Sequence, residues 1–223
     1  MRQYCEIPGP SKAPQEQCIA FYKYDGSNLR FEYSKKQGWH KFGTRHLMFD
    51  ETDETYGPAI KIFLDTYGDS IPKVLRDNKD YRNIHNQNIV AFCEFFGPNS
   101  LAGWHDKDDP KEVVLFDIWL YKKGFVLPKD FVRDFGHLKI PPVVYEGNFN
   151  KQFIEDVKEG KYPVDEGIVA KGVIKGYKNS PNGIWMSKVK SKLWIEKLQN
   201  RYKESQEFRK ALEDNIREQA YVS

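Results

Sequence analysis

The chain has 223 residues, of which 39% are hydrophobic, 15% aromatic and 30% charged, and its formal net charge is +3. This composition excludes an intrinsically disordered chain, which would have few aromatic residues and a large net charge. No uncharged apolar stretch approaches the ~20 residues that cross a bilayer, and the N-terminus lacks the apolar segment of a secretory signal. Three cysteines without a CxxC spacing favour neither a disulfide framework nor a zinc site. We therefore expect an intracellular protein without a membrane partner.

The apolar pattern predicts an α+β chain, because alternating and continuous apolar runs are interspersed with helical periodicity. Strands are predicted over 18–24, 29–33, 88–97, 112–121, 165–174 and 184–190, and helices over 58–69 and 150–159. In the first helix Ile60, Phe63, Leu64 and Tyr67 share one face.

The pattern changes at Ser191. Trp194, Leu198 and Tyr202 then recur at helical spacing, and Phe208, Leu212 and Ile216 continue this spacing after a phase slip. We therefore expect one domain over 1–190, followed by a short helical tail over 191–223. Lysine and arginine outnumber acidic residues nine to one over 171–203, which fits either a phosphate-binding surface or an ordinary solvated face.

The segment KYDGSN, residues 23–28, places a lysine where a predicted strand enters a tight Asp-Gly turn. A neutral lysine can attack an electrophile, and glycine allows the backbone to approach a ligand closely. Taken alone, this segment also fits an ordinary turn.

Four further features follow in the chain: EFFG over 94–97, Phe116 within the next strand, EGIVAK over 166–171, and Lys188-Val189-Lys190. Taken separately, each also has a structural interpretation as an edge acid, a core aromatic, a bulge or solvated lysines. Lys188 and Lys190 lie on one face of their strand, because side chains alternate with period two. Two like charges on one face are unfavourable unless an anion lies between them, and a nucleotide phosphate supplies such an anion.

The order of these five features resembles the covalent nucleotidyltransferase superfamily, which comprises polynucleotide ligases and mRNA capping enzymes. The resemblance covers about residues 19–193. DNA ligases and capping enzymes usually have arginine at the position of Asn28. Asn28 together with EFFG is more similar to the RNA ligase branch of phage-type, nick-sealing enzymes. The resemblance implies an ATP-grasp-like adenylyltransferase domain of antiparallel sheets flanked by helices, and the tail is too short for the OB domain that most ligases append.

The resemblance also implies a role for each matching residue. Lys23 is the expected nucleophile that forms a lysyl-AMP with ATP, and Lys188 and Lys190 are expected at the α-phosphate. Glu166 is the expected ligand of Mg²⁺ or Mn²⁺.

The remaining expected residues bind the nucleotide. Phe116 stacks on the adenine, and Glu94 binds the ribose with Asn28 nearby. Arg45 is the first candidate to hold a phosphate, with Arg30 second, and Lys171 is a further phosphate contact.

The implied activity is ATP-dependent joining of 5′-phosphate and 3′-hydroxyl RNA ends, with a nicked duplex as one form of substrate. RNA repair in a virus or phage is a suitable setting. The alternatives are a minimal DNA ligase acting on nicks, a capping-type guanylyltransferase, and a non-catalytic nucleic-acid-binding module. The sequence leaves the oligomeric state open.

Overall fold

A computed structural model describes residues 2–81, 88–177 and 182–204, together with 209, 212–213 and 216. Contacts within the chain group it into two units. The first unit comprises Met1–Cys5 and Gly26–Ile140, and the second comprises Glu6–Asp25 and Pro141–Ser223. The domain boundary at residue 190 stays a prediction.

The described residues form β-strands and helices. The strands are β1 (Gln17–Lys23), β2 (Ser27–Ser34), β3 (Gly38–Thr44), β4 (Met48–Phe49), β5 (Ile89–Phe96), β6 (Glu112–Leu120), β7 (Gly124–Phe125), β8 (Val143–Asn148), β9 (Gly167–Val173) and β10 (Ile184–Lys190). The α-helices are α1 (Gly57–Tyr67), α2 (Ser70–Asp77), α3 (Pro128–Phe135), α4 (Lys151–Lys158) and α5 (Lys192–Glu204), and short 3₁₀ turns lie at Pro10–Lys12 and Lys79–Tyr81.

The second unit contains an antiparallel sheet in the order β10-β9-β1-β8. One face of this sheet is apolar and packs against α4, whose start is capped by the Asn150 side chain accepting from the Phe153 amide. The core on this face contains Cys18, Ala20, Ile168, Ala170, Trp185, Val189, Phe149, Phe153, Ile154 and Val157. Because side chains alternate along a strand, the intervening residues of β1, β9 and β10 all point to the opposite face.

The first unit contains a second antiparallel sheet, in the order β4-β3-β2-β5-β6-β7. Leu29 and Phe31 of β2 are fully buried, and Phe63 of α1 stacks on Phe31 with 3.8 Å between ring centroids. Leu64 of the same helix is 39% exposed. Leu64 lies at the border of the buried stripe, where Ile60, Phe63 and Tyr67 already cover the sheet.

The fold class is confirmed as α+β with two antiparallel sheets, and each predicted strand matches an observed strand within a few residues. The strands on either side of Asp25-Gly26 do not pair with each other, because β1 and β2 belong to different sheets. Glycine is required at position 26, because a Cβ atom there would lie 2.3 Å from the carbonyl oxygen of Phe95. Phe208 of the predicted tail lies outside the described residues, and within the described ranges no helix is long and apolar enough to cross a bilayer.

Gly167, the first residue of β9, generates a stability prediction. Its φ is +147°, and a Cβ atom would lie 2.0 Å from the carbonyl oxygen of Val189 on β10. Gly160 has a φ of +73°, but a Cβ atom added there would have no neighbour within 4 Å. We expect Gly160→Ala to cost about 1 to 2 kcal/mol through backbone strain, and Gly167→Ala to cost more than about 3 kcal/mol because a steric clash is added. Urea unfolding of both variants tests this, and equal losses would contradict it.

Candidate active site

Lysines line the face of the second unit's sheet that points away from its core. Lys23 and Lys190 both pair across the sheet with Gly167, and Lys188 pairs with Val169. Lys171 pairs with Ile19 on β1 and follows the same alternation. The register therefore brings the four sequence-predicted lysines onto one face, which we call the lysine face.

Glu166 lies between two of these lysines. Its Oε2 atom is 2.6 Å from Lys23 Nζ, and its Oε1 atom is 2.5 Å from Lys190 Nζ. The Glu166 side chain is 2% exposed, against 7% for Lys190 and 21% for Lys23. One buried carboxylate therefore contacts the predicted nucleophile and a predicted phosphate ligand at once. We call these three residues the Lys23–Glu166–Lys190 cluster.

The charges of this cluster determine its protonation. Burial raises the pKa of Glu166, but the positive charges of Lys23 and Lys190 and their hydrogen bonds outweigh burial, so the pKa lies below its ordinary value. Burial lowers the pKa of Lys190; Glu166 opposes this shift, and Lys23 adds to it. With all three groups ionised, the cluster carries one excess positive charge, which favours an anionic ligand.

The other two lysines are held differently. Lys171 is only 4% exposed, and its ammonium group lies 5.0 Å from the centre of the Phe21 ring. Lys188 is half-buried, and its backbone amide donates to the carbonyl oxygen of Pro8 at 3.0 Å.

The first unit places three predicted nucleotide-binding residues on the face of its sheet opposite to α1. Asn28 and Arg30 alternate with the buried Leu29 and Phe31 along β2, and Asn28 pairs directly across from Glu94 on β5. This pairing brings an amide and a carboxylate together, which suits the recognition of hydroxyl groups.

Arg30 has unusual surroundings. It is 4% exposed, and within the described ranges its Nε and Nη1 atoms have no hydrogen-bond acceptor. The Asn28 Oδ1 atom is likewise buried without a donor. Burial lowers the pKa of the Arg30 guanidinium, and the nearby Glu32 opposes this shift. Arg45, directly after β3, is half-buried, and its place as the first candidate to hold a phosphate stays a prediction.

Phe116 occupies a β-bulge. Cys93 pairs with Leu115 and Phe92 pairs with Asp117, so Phe116 is the extra residue of β6. Its ring packs edge-on against Tyr4, with 5.0 Å between ring centroids, and the Tyr4 hydroxyl donates to Asp117. A bulge re-aims a side chain locally, which releases Phe116 from the strict alternation of the strand.

The residues of the lysine face suit a metal ion that is bound by few protein ligands. The part of the chain that the structure describes holds no group of three or more His, Cys, Asp or Glu side chains suited to a metal. Glu166 offers one carboxylate, and Mg²⁺ is usually held by one or two carboxylates together with substrate phosphates and waters. The residues therefore fit an ion that arrives with a phosphorylated ligand.

Sequence reasoning missed three contacts of the predicted site. Trp194 of α5 donates from its indole Nε1 to Asp25 Oδ2 at 2.6 Å, and its ring lies against Lys190. Tyr4 contacts Phe116. The helical spacing marked Trp194 as an inward-facing residue, but no sequence signal pointed to Asp25 or Lys190 as its neighbours.

Comparison with known proteins gives a consistent result. A family model described as RNA ligase matches residues 16–190. Among solved structures, an apo mutant of a Naegleria gruberi RNA ligase has 16% identity and a TM-score of 0.61, covering 90% of this chain and 58% of that chain. A mutant of the same ligase with ATP and Mn has 18% identity and a TM-score of 0.56, covering 84% and 53% respectively. An archaeal ATP-dependent RNA ligase has 13% identity and a TM-score of 0.57, covering 91% and 52%.

At these identities the structures establish a shared fold. The chain spans little more than half the length of each of them. A search among curated proteins found no match.

The unsatisfied guanidinium generates a prediction about stability. Arg30→Met replaces it with an unbranched apolar side chain, so the ligand-free protein should gain about 1 to 3 kcal/mol in free energy of unfolding. Arg45→Met is the control and should change stability by less than about 0.5 kcal/mol. Thermal and urea unfolding measure both, and destabilisation by Arg30→Met would show that the guanidinium is already satisfied.

His105 generates a pH prediction. Its Nε2 lies 2.8 Å from Ser27 Oγ and its Nδ1 lies 3.2 Å from Ser100 Oγ. Burial, helped by Lys111, lowers the pKa of His105 from 6.5 to about 4. Because the unfolded chain then takes up a proton before the folded protein does, stability is complete above the ordinary pKa and falls as the pH drops towards 4.

We expect His105 to account for a loss of about 1 to 2 kcal/mol between pH 7 and pH 5. Urea unfolding at these two pH values should show a smaller loss for His105→Gln than for the wild type. The same pH dependence in both proteins would rule out His105 as its source.

Proposed function

We propose an ATP-dependent RNA ligase activity for this chain, which belongs to the RNA ligase family. The observation that carries the proposal is the Lys23–Glu166–Lys190 cluster, in which a buried carboxylate orients a lysine amine beside a second, buried ammonium group. Asn28 in place of arginine supports RNA rather than DNA as the strand that is joined.

In the first step Lys23 loses a proton, and its Nζ attacks the α-phosphorus of ATP. A nitrogen–phosphorus bond forms, the bond to the bridging oxygen breaks, and pyrophosphate leaves with that electron pair. The lowered pKa of Glu166 makes it a poor proton acceptor, so Glu166 orients Lys23 and solvent takes the proton.

The other residues of the lysine face oppose the charge that develops on the phosphate oxygens. Lys190 is held at a fixed place by Glu166, and such a preorganised cation lowers the barrier most in a site that excludes water. Lys188 lies two residues earlier on the same face, and Lys171 adds a third cation. Glu166 would hold a Mg²⁺ or Mn²⁺ ion, which would supply further charge neutralisation.

The remaining predicted residues recognise the nucleotide. Phe116 stacks on the adenine, and Glu94 with Asn28 binds the ribose hydroxyls, since the two side chains pair across β2 and β5. Arg30, which has buried donors without an acceptor among the described residues, is one candidate to hold a phosphate by charge-assisted hydrogen bonding. Arg45 is the other candidate for this role.

Two further transfers complete the reaction. The AMP passes from Lys23 to the 5′-phosphate of an RNA strand, which frees the amine. A 3′-hydroxyl then attacks the activated 5′-phosphorus, the phosphodiester bond forms, and AMP leaves.

The first transfer is directly testable by intact mass. The protein is first treated with pyrophosphate to remove any AMP that it already carries. It is then incubated with ATP and Mg²⁺ and denatured, and its intact mass is measured. We expect the wild type to gain one AMP, Lys23→Ala to gain none, and the control Lys175→Ala, in an exposed loop of the same unit, to behave as the wild type. Labelling with GTP instead of ATP would indicate a capping-type enzyme, and no adduct with either nucleotide would refute the proposal.

Sealing of nicked RNA and nicked DNA duplexes then separates the strand preferences. Joining of the RNA nick at a rate at least about 10-fold higher supports the RNA ligase proposal. Joining of the DNA nick alone would favour a minimal DNA ligase.

A further inference from the structure

Helix α5 begins two residues after Lys190 and carries a buried tryptophan against the lysine face. Trp194 is 3% exposed. The Lys190 Nζ atom lies 3.8 Å from the centre of its ring, a distance typical of a cation–π contact. On its edge, the indole Nε1 donates to Asp25 Oδ2 at 2.6 Å. One side chain therefore contacts both the segment that carries Lys23 and the end of the strand that carries Lys190.

The start of α5 is fixed to the segment that carries Glu166. The Ser191 amide donates to the Glu166 carbonyl oxygen at 2.9 Å. The Ser191 hydroxyl donates to the Asp165 carbonyl oxygen at 2.6 Å and accepts from the Trp194 amide at 3.1 Å. Such a serine caps the first turn of a helix. The backbone of Trp194 is therefore held at a constant place relative to Glu166.

The Lys190 ammonium group thus contacts both the Glu166 carboxylate and the Trp194 ring. A long, flexible lysine side chain has many rotamers, and each contact removes some of them. The ring also attracts the cation without neutralising it, because the π face carries a quadrupole rather than a net charge. The Trp194 contact therefore fixes Lys190 while leaving its positive charge available to a phosphate.

We propose that Trp194 is a positioning residue, which holds the Lys190 ammonium group in place for the phosphate and ties Asp25 to the same point. This inference rests on the role of Lys190 in the proposed function. It assigns a function to the first turn of α5, which the family model's match over residues 16–190 does not reach.

Three variants separate the two contacts of Trp194. Trp194→Leu removes both the ring and the N–H donor. Trp194→Phe keeps an aromatic ring for Lys190 and removes the donor to Asp25. Trp185→Leu is the matched control, because it also truncates a buried indole of the same unit, on the core face, whose Nε1 has no hydrogen-bond partner among the described residues.

The first readout is the formation of lysyl-AMP over a range of ATP concentrations. We expect Trp194→Leu to lower the maximal rate about 10- to 100-fold, since displacing a charged group by an ångström has an effect of this size. The ATP concentration at half-maximal rate should change little, and Trp194→Phe should stay within about threefold of the wild type. Trp185→Leu should lower the melting temperature at least as much as Trp194→Leu while keeping the rate.

The second readout does not depend on activity. Brief labelling with an amine-reactive reagent, followed by peptide mass spectrometry, reports how well each lysine is protected. Lys190 should be labelled several-fold faster in Trp194→Leu than in the wild type, Trp194→Phe or Trp185→Leu. If Trp194→Leu does not fold, Trp194→Met fills more of the same volume and gives the same comparison.

The outcomes are separable. A wild type that forms no AMP adduct refutes the proposed ligase activity, while the labelling still decides whether Trp194 holds Lys190. Unchanged labelling of Lys190 in Trp194→Leu overturns the positioning role, as does a Trp194→Phe variant that loses as much rate as Trp194→Leu. A loss of rate in Trp185→Leu that matches its loss of stability shows a purely structural effect.

Discussion

The contact of Glu166 with two lysines is the interaction on which the lysine face depends. A carboxylate that is 2% exposed is unfavourable without compensation, because burial removes its hydration. Lys23 and Lys190 provide that compensation, and each hydrogen bonds to a different carboxylate oxygen. Removing either lysine would leave Glu166 under-compensated, while the intact cluster retains one excess positive charge. The same arrangement therefore fixes the lysines and prepares them for an anion.

The backbone makes this contact possible. Glu166 immediately precedes β9, and Gly167 pairs with both Lys23 and Lys190. A side chain at position 167 would collide with the carbonyl oxygen of Val189, so only glycine lets β10 approach closely enough at this point. The contact of Glu166 with Lys190 therefore requires both the lysine on β10 and the glycine at the start of β9.

Much of this arrangement could be predicted from local pattern, and the rest could not. Alternation placed Lys188 and Lys190 on one face, and the apolar runs located β1, β5, β6, β9 and β10. The contact between Lys23 and Glu166 joins residues 143 positions apart, and it depends on a cross-strand register that no local pattern contains. The strands β3 and β8 escaped prediction because GWHKFGT mixes two aromatic residues with polar residues and glycine, and VVYEGN has only a short apolar start followed by Glu, Gly and Asn, which are depleted in strands.

The two arginines show the same limit in another form. Arg45 and Arg30 are equivalent as residue types, and the sequence ranked Arg45 first. Burial distinguishes them, because Arg45 is half-buried, whereas the Nε and Nη1 donors of Arg30 are buried without an acceptor among the described residues. Burial is a property of the packed sheet and of the neighbours that β3 and β5 bring to β2, so it becomes visible only in the structure.

Each unit therefore carries polar groups that are poorly compensated in the protein by itself: excess positive charge on the lysine face, and unsatisfied donors at Arg30. Each arrangement reduces the stability of the ligand-free protein, since desolvated charges and donors without partners are unfavourable. Phosphate oxygens accept hydrogen bonds from guanidinium and ammonium groups, and their negative charge opposes the excess positive charge of the lysine face. A ligand that binds only the folded protein then raises the stability of that protein. The features that cost stability in the free protein are thus the ones on which the proposed binding of a phosphorylated ligand rests.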